Sequence, residues 1–429
     1  MSEKLDKDKL LHLYKMVDEK KDELIRLSCD LISYPSVCPP GRNCGPVQDF
    51  IQGYLEELGC SIDRWEYFKG DPNIVAVLPG TDSANYKSLI LNNHVDVAEV
   101  GDVSQWSFDP FKPFVKDGRL YGRGASDMKT ALAACLFTMK LLKEADVGLK
   151  GDLILHSVTG EEVGEGITRQ CVERGPRGDF AIAADISDFE ILGQGGVITG
   201  WITVESPTTF HDGVRARMIH AGGGIFGASA VEKMSKVIQG LQDLERHWAV
   251  MKQYEGFPPG SNTINPAVIE GGRHAAFVAD KCSLWITVHF YPDEDYKDVS
   301  KEIEEHIMNV AAGDPWLRDN PPKFRWGGES MIEDRGEIFP SLELDREHEG
   351  TKLLADVHHA VTGEKPIMGM SPTVTDAGWL GEGGIPTVLY GPGELALAHA
   401  VDESIDLEDL ISYTKVLIEF ATRWCNTPK

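Results

Sequence analysis

The chain has 429 residues, 42% hydrophobic and 26% charged, which is enough for two or three domains with buried cores. Its formal net charge of −26 argues against a nucleic-acid partner, because little in it could neutralise a row of phosphates. No run approaches the roughly 18 apolar residues of a membrane span, so no membrane partner is expected.

The first segment, MSEKLDKDKLLHLYKMVDEKKDEL, is charged from the start and has no apolar stretch ahead of a cleavage site. It predicts an amphipathic helix over about 8–33 and no signal peptide. The eight cysteines (Cys29, Cys38, Cys44, Cys60, Cys135, Cys171, Cys282 and Cys425) include no CxxC pair, so reduced thiols in a cytoplasmic protein are expected. A Pro/Gly loop, SYPSVCPPGRNCGP, leads into a helix over about 46–58, then short strands near 60–66 and 73–78. SLILNNHVDV is apolar in its first half and polar in its second. DMKTALAACLFTMKLLKEA has helical spacing, and GDLILHSVT and GDFAIAADIS follow as strands. Strands alternating with helices predict an α/β sheet covered on both faces.

From about 198 the texture changes. A strand (GGVITGWITVES), a helix (GASAVEKMSKVIQGLQDLERHWAV), two strands (NTINPAVIEGG, CSLWITVHFY), a second helix (EDYKDVSKEIEEHIMNVAA) and a last strand (PPKFRW) predict an inserted α+β domain of the split-βαβ, ferredoxin-like kind. After about 345 the α/β pattern returns, with a helix at 350–361, a strand at 386–393 and a helix at 406–424. The expected division is 1–197 and 345–429 for one split catalytic domain, and 198–344 for a lid or dimerisation domain.

Ligand-type side chains collect at the predicted strand ends: His94 and Asp96 in LNNHVDV, Asp127 in GRGASDMK, Glu161 and Glu162 in TGEEVGEG, Asp185 in AIAADIS, and His399 in ELALAHAVDES. The carboxyl ends of the strands are where sites form in an open α/β sheet. Singly, each has a structural reading: a core histidine, a turn aspartate, an N-cap at Asp127, a wet Glu-Glu loop. Together, two imidazoles and several carboxylates suit borderline divalent cations and suffice for two zinc ions sharing a bridge.

LNNHVDV, GRGASDMKTALAA, TGEEVGEG and YGPGELALAHAVDES, in that order, resemble the successive signatures of the dinuclear-zinc amidohydrolase and exopeptidase family. That family includes acetylornithine deacetylase, succinyl-diaminopimelate desuccinylase, aminoacylase and glutamate carboxypeptidase. The resemblance implies a zinc-exopeptidase-like catalytic domain in which His94 and Asp185 hold one zinc, Glu162 and His399 hold the other, and Asp127 bridges them. Cobalt or manganese are alternatives. Asp96 would orient His94, a cis peptide would join Asp127 to Met128, and Glu161 would act as general base, a role worth about 10²–10⁴ in rate.

In the inserted domain, His220 in RARMIHAGGG resembles the family's histidine that reaches the partner subunit's active site and polarises the scissile carbonyl, which implies a homodimer. His211 competes for that role. The literal GxGxxG at Gly222–Gly227 follows a poor strand and is not read as a dinucleotide site.

Three departures from the family bear on substrate. Asp185 stands where deacetylases usually have Glu, WITVHFYPDED offers His289 instead of a carboxylate-clamping Arg, and SPTVTDAGW keeps Asp376 but loses the usual glycines. GQGGVITGWITVES, FHDGVRARMIHAGGG, NTINPAVIEGGRHAAF and LWITVHFYP resemble a narrower branch, the bacterial formylaminopyrimidine deformylases, whose substrate has no α-carboxylate. The expected reaction is therefore deformylation of N-formyl-4-amino-5-aminomethyl-2-methylpyrimidine in thiamine-precursor salvage, with Asn265 and His289 as substrate contacts. The alternatives are deacetylation of acetylornithine or desuccinylation of succinyl-diaminopimelate, a dipeptidase or exopeptidase activity, and a non-catalytic metal-binding protein.

Overall fold

The computed structural model describes residues 7–214 and 228–429. They form two compact units, one built from the chain up to Gln194 and from Leu342 onward, the other from Gly195–Ser341.

The first unit is organised by an eight-stranded sheet. From one edge to the other its strands are Ser61–Glu66, Pro72–Leu78, Leu153–Val158, Leu89–His94, Phe180–Ala183, Thr387–Leu389, Ile191–Gln194 and Met368–Ser371. Leu89–His94 runs parallel to both Leu153–Val158 and Phe180–Ala183, and Thr387–Leu389 runs parallel to Phe180–Ala183. The carboxyl ends of these four strands therefore lie along one edge of the sheet. Near-continuous apolar runs such as Leu89–Leu91 and Leu153–Leu155 are what a sheet covered on both faces requires, and those residues are buried.

One face packs on helices Lys21–Ile32, Gly45–Glu57, Lys129–Glu144, Glu349–Thr362 and Leu407–Trp424, through Leu91, Leu155, Leu136, Phe137, Val416 and Phe420. The other packs on Ile167–Arg174 and Ala377–Glu382, through Ile90, Ile154, Cys171 and Leu380. The α/β class expected from the sequence holds.

Two elements differ from expectation. The first helix is two, Lys7–Glu19 and Lys21–Ile32, broken at Lys20 (φ −109°, ψ 13°). Neither proline nor glycine marks the break, and Leu13 and Val17 of the first piece and Leu24, Leu27 and Leu31 of the second are all buried in the core. The expected strand at 386–393 is regular only over Thr387–Leu389: Tyr390 still donates to the Ala183 carbonyl, but the Gly391 N–H goes to Ser187 Oγ at 2.9 Å and Pro392 has none to give.

The second unit is an antiparallel sheet ordered Ile264–Gly271, Lys281–Phe290, Gly196–Glu205, Lys323–Trp326, with helices Ala230–Met251 and Tyr296–Ala312 packed on one face. Along Lys281–Phe290 every second residue (Cys282, Leu284, Ile286, Val288, Phe290) is buried, as a half-covered strand requires. The chain leaves and re-enters the first unit at adjacent points: Gln194 and Leu342 exchange two backbone hydrogen bonds, both 2.9 Å. All eight cysteines are free thiols, and no helix among the described residues is long and apolar enough to cross a membrane.

Candidate metal centre

His94 is the last residue of its strand, and its Nε2 stands 3.2 Å from Asp127 Oδ1, 3.6 Å from Asp185 Oδ2 and 3.9 Å from Glu161 Oε2. His399 Nε2 stands 3.0 Å from Asp127 Oδ2 and 2.9 Å from Glu162 Oε2. The two oxygens of Asp127 thus face the two histidines. The side chains fall into two groups, His94 with Glu161 and Asp185, and Asp127 with Glu162 and His399; in each, the donor atoms lie within 4.8 Å of one another.

The capping role open to Asp127 is not taken. Met128 precedes the helix Lys129–Glu144 and no side chain caps it, leaving both Asp127 oxygens for the site. The Asp127–Met128 peptide is cis. Asp96 contacts two residues of the site. His94 Nδ1 bonds the backbone carbonyl of Asp96 at 3.0 Å, while the Asp96 carboxylate stands 3.7 Å away and accepts the Glu162 N–H at 3.1 Å. The residue therefore steers His94 with its main chain and Glu162 with its side chain.

Charge crowding defines the electrostatics. Burial, reinforced by Asp127, pushes Glu162 up to about 7 and Asp185 up to about 6, while their imidazole neighbours pull the other way. Burial drives Glu161 well above the carboxylate range. Burial disfavours charge on His94, but Asp127, Asp185, Glu161 and Asp96 outweigh it and hold the ring well above its ordinary value. His399, beside Asp127 and Glu162, rises to about 10.

A cluster of buried carboxylates is costly unless cations compensate it. His94 Nε2 and Asp127 Oδ1 are buried without a hydrogen-bond partner. Oxygen and imidazole donors in two adjoining groups suit two divalent cations, so the residues fit such a centre.

The chain matches the family described as peptidase family M20/M25/M40 over residues 90–423. It is 58% identical over 417 residues to the N-formyl-4-amino-5-aminomethyl-2-methylpyrimidine deformylase of Bacillus subtilis (strain 168), covering 97% of this chain and 98% of that one. The chain belongs to peptidase family M20/M25/M40. The deformylase of the same name from Halalkalibacterium halodurans is 56% identical, covering 96% of this chain and 97% of that one. Among solved structures, the di-peptidase Dug1p of Saccharomyces cerevisiae matches with a TM-score of 0.70 at 15% identity, covering both chains fully. At that identity the likeness speaks for the fold.

In this M20/M25/M40 chain, further residues hold the centre in place that the motif reading passed over. Glu403 accepts the backbone N–H groups of Gly124, Ser126 and Asp127, at 3.1, 2.7 and 3.0 Å, and pairs with Arg123 at 2.6 Å. Arg123 in turn donates to the carbonyl of His399 at 3.1 Å, a residue in left-handed backbone conformation (φ 56°). A Cβ on Gly393 would collide with the Ser126 carbonyl, so only glycine lets the loop carrying His399 approach Asp127 this closely. Arg123 and Glu403 each lie four residues from a ligand-type residue, in GRGASDMK and ELALAHAVDES, but nothing local in either stretch shows that the two meet.

The remaining candidates lie in the second unit. Asn265 is exposed and paired with Thr287, and His289 is half-buried two residues further along the same strand face; burial lowers the His289 pKa. His211 is exposed, with Nδ1 accepting the Gly213 N–H at 3.0 Å. His220 and the glycine run after it lie outside the described residues.

Proposed function

We propose that the protein removes the formyl group of N-formyl-4-amino-5-aminomethyl-2-methylpyrimidine by hydrolysis, releasing formate and the free amine, as a step of thiamine-precursor salvage. The observation that carries this is the 58% identity to a deformylase of that substrate over 97% of the chain. The absence of a carboxylate-clamping arginine at His289 accords with a substrate that has no α-carboxylate.

In this reading His94 and Asp185 would hold one divalent cation, Glu162 and His399 would hold a second, and Asp127 would serve both, with zinc as the first choice. When bound, such a pair supplies Lewis-acid polarisation of the carbonyl and acidifies water at neutral pH. Glu161 stands in the same group of donors as His94 and Asp185; in this reading it is left free of the cation, takes a proton from the attacking water and delivers it to the amine nitrogen as the C–N bond breaks. Glu403 and Arg123 keep Asp127 and His399 in register. His220 from a partner subunit polarises the carbonyl oxygen, which makes the working form a homodimer; the protein acts in the cytoplasm.

The test is kcat/KM of zinc-loaded protein on the formylaminopyrimidine and on N-acetylornithine, each with a chelator control. A preference for the pyrimidine of about a hundredfold, roughly 2.7 kcal/mol in transition-state binding, is expected. The reverse preference would make the protein an amino-acid deacylase and His289 its carboxylate contact.

A further inference from the structure

The reaction above leaves the Pro/Gly loop before helix Gly45–Glu57 without a role, yet its Arg42 reaches the turn that carries Glu161 and Glu162. Arg42 makes a forked contact with Glu165, Nη1 donating to Oε2 at 3.1 Å and Nη2 to Oε1 at 2.8 Å. Nη1 also donates to Asp71 Oδ2 at 3.0 Å, which accepts the Arg42 backbone N–H at 2.9 Å, and Asp71 Oδ1 accepts the Cys44 N–H at 3.2 Å. The guanidinium lies over Phe68, 4.1 Å from the ring centroid.

The Glu165 side chain is fully buried. Its N–H donates to the Gly160 carbonyl and the Gly164 N–H to the Glu161 carbonyl, both at 2.9 Å, so residues 160–165 form a closed turn. Gly160 has φ 76°, and a Cβ there would collide with Glu165 Oε2, so the carboxylate packs directly against the turn.

We propose that Arg42 and Glu165 are positioning residues for the hydrolysis: their forked ion pair fixes the turn and thereby the placement of Glu161. This rests on the reading of Glu161 as the proton carrier. A bidentate arginine–carboxylate contact sets orientation as well as distance, which a lysine cannot reproduce. A displacement of about 1 Å at a reacting group costs on the order of a hundredfold in rate.

The test compares Arg42→Ala, Arg42→Lys, Glu165→Gln and Glu161→Gln in the full chain. Arg42→Ala and Glu165→Gln are expected to lower kcat by about 10- to 100-fold, with KM and the metal-to-protein ratio held. Arg42→Lys recovers part of the loss. The double variant Arg42→Ala/Glu165→Gln is no slower than the worse single one, because both remove the same contact. In metal-free protein, hydrogen exchange over residues 160–165 rises in Arg42→Ala while the strand Leu153–Val158 keeps its protection. Should Arg42→Ala fail to fold, Arg42→Lys and Glu165→Gln decide. An unchanged kcat in the folded variants, or a loss that is entirely in KM or in bound metal, overturns the proposal. If Glu161→Gln keeps wild-type kcat, the proton-carrier reading fails and this inference with it; if Glu161→Gln is inactive and the Arg42 variants are not slowed, this inference alone fails.

Discussion

Arg123 and Glu403 form an ion pair at 2.6 Å whose side chains are 2% and 0% exposed, and between them they hold the backbone of Asp127 and the carbonyl of His399. Removing one partner from a buried pair strands the other charge, which costs about 3–5 kcal/mol. Arg123→Met is therefore expected to lose stability on that scale and to bind less metal, read by urea unfolding and by the metal-to-protein ratio. Full metal content with unchanged stability would disprove the role.

Glu161→Ala separates proton transfer from metal binding. Turnover should fall by about 10²–10⁴ while metal content stays at the wild-type level. Loss of metal in this variant would instead place Glu161 among the ligands.

Metal removal should destabilise the protein, because the crowded carboxylates lose the cations that compensate them. Restoring free metal to about a hundred times its Kd should return roughly 2.7 kcal/mol. Thermal melts with chelator and after metal is added back check this, and His94→Ala should show little of the shift. Equal melting with and without chelator would count against the ligand set.

His156 provides a pH-dependent contribution of known sign. It is buried, its Nδ1 bonds Asn92 Oδ1 at 3.0 Å, and burial lowers its pKa to about 3. Unfolded, it titrates near its ordinary value of about 6.5. Between those values the unfolded chain binds the extra proton, so stability is full above about 6.5 and falls as pH drops toward about 3, by up to about 1.4 kcal/mol per pH unit. In His156→Gln this share of the slope disappears, which urea midpoints measured against pH in both proteins will show. Parallel curves would mean the ring is not held neutral.

Much of the first unit was legible because its strands are short apolar runs with ligand-type residues at or just beyond their ends, His94 at the end of Leu89–His94 and Glu161 and Glu162 after Leu153–Val158. The ferredoxin-like order of the second unit followed from two helices separated by a strand pair. What stayed hidden was long-range and aperiodic. Arg42 and Glu165 are 123 residues apart, and Arg123 and Glu403 are 280 apart; no local pattern announces that such pairs meet. That Asp96 meets His94 through its carbonyl and Glu162 through its carboxylate depends on the turn geometry. The break at Lys20 was invisible because neither proline nor glycine marks it and the apolar spacing runs on across it.

The reciprocal bonds between Gln194 and Leu342 mean that everything from Gly195 to Ser341 returns to where it began. To the host sheet, the whole excursion is topologically a hairpin loop. Closing a longer loop costs only slowly growing entropy, so a host of this kind can gain, exchange or lose a passenger there with its own strand order untouched.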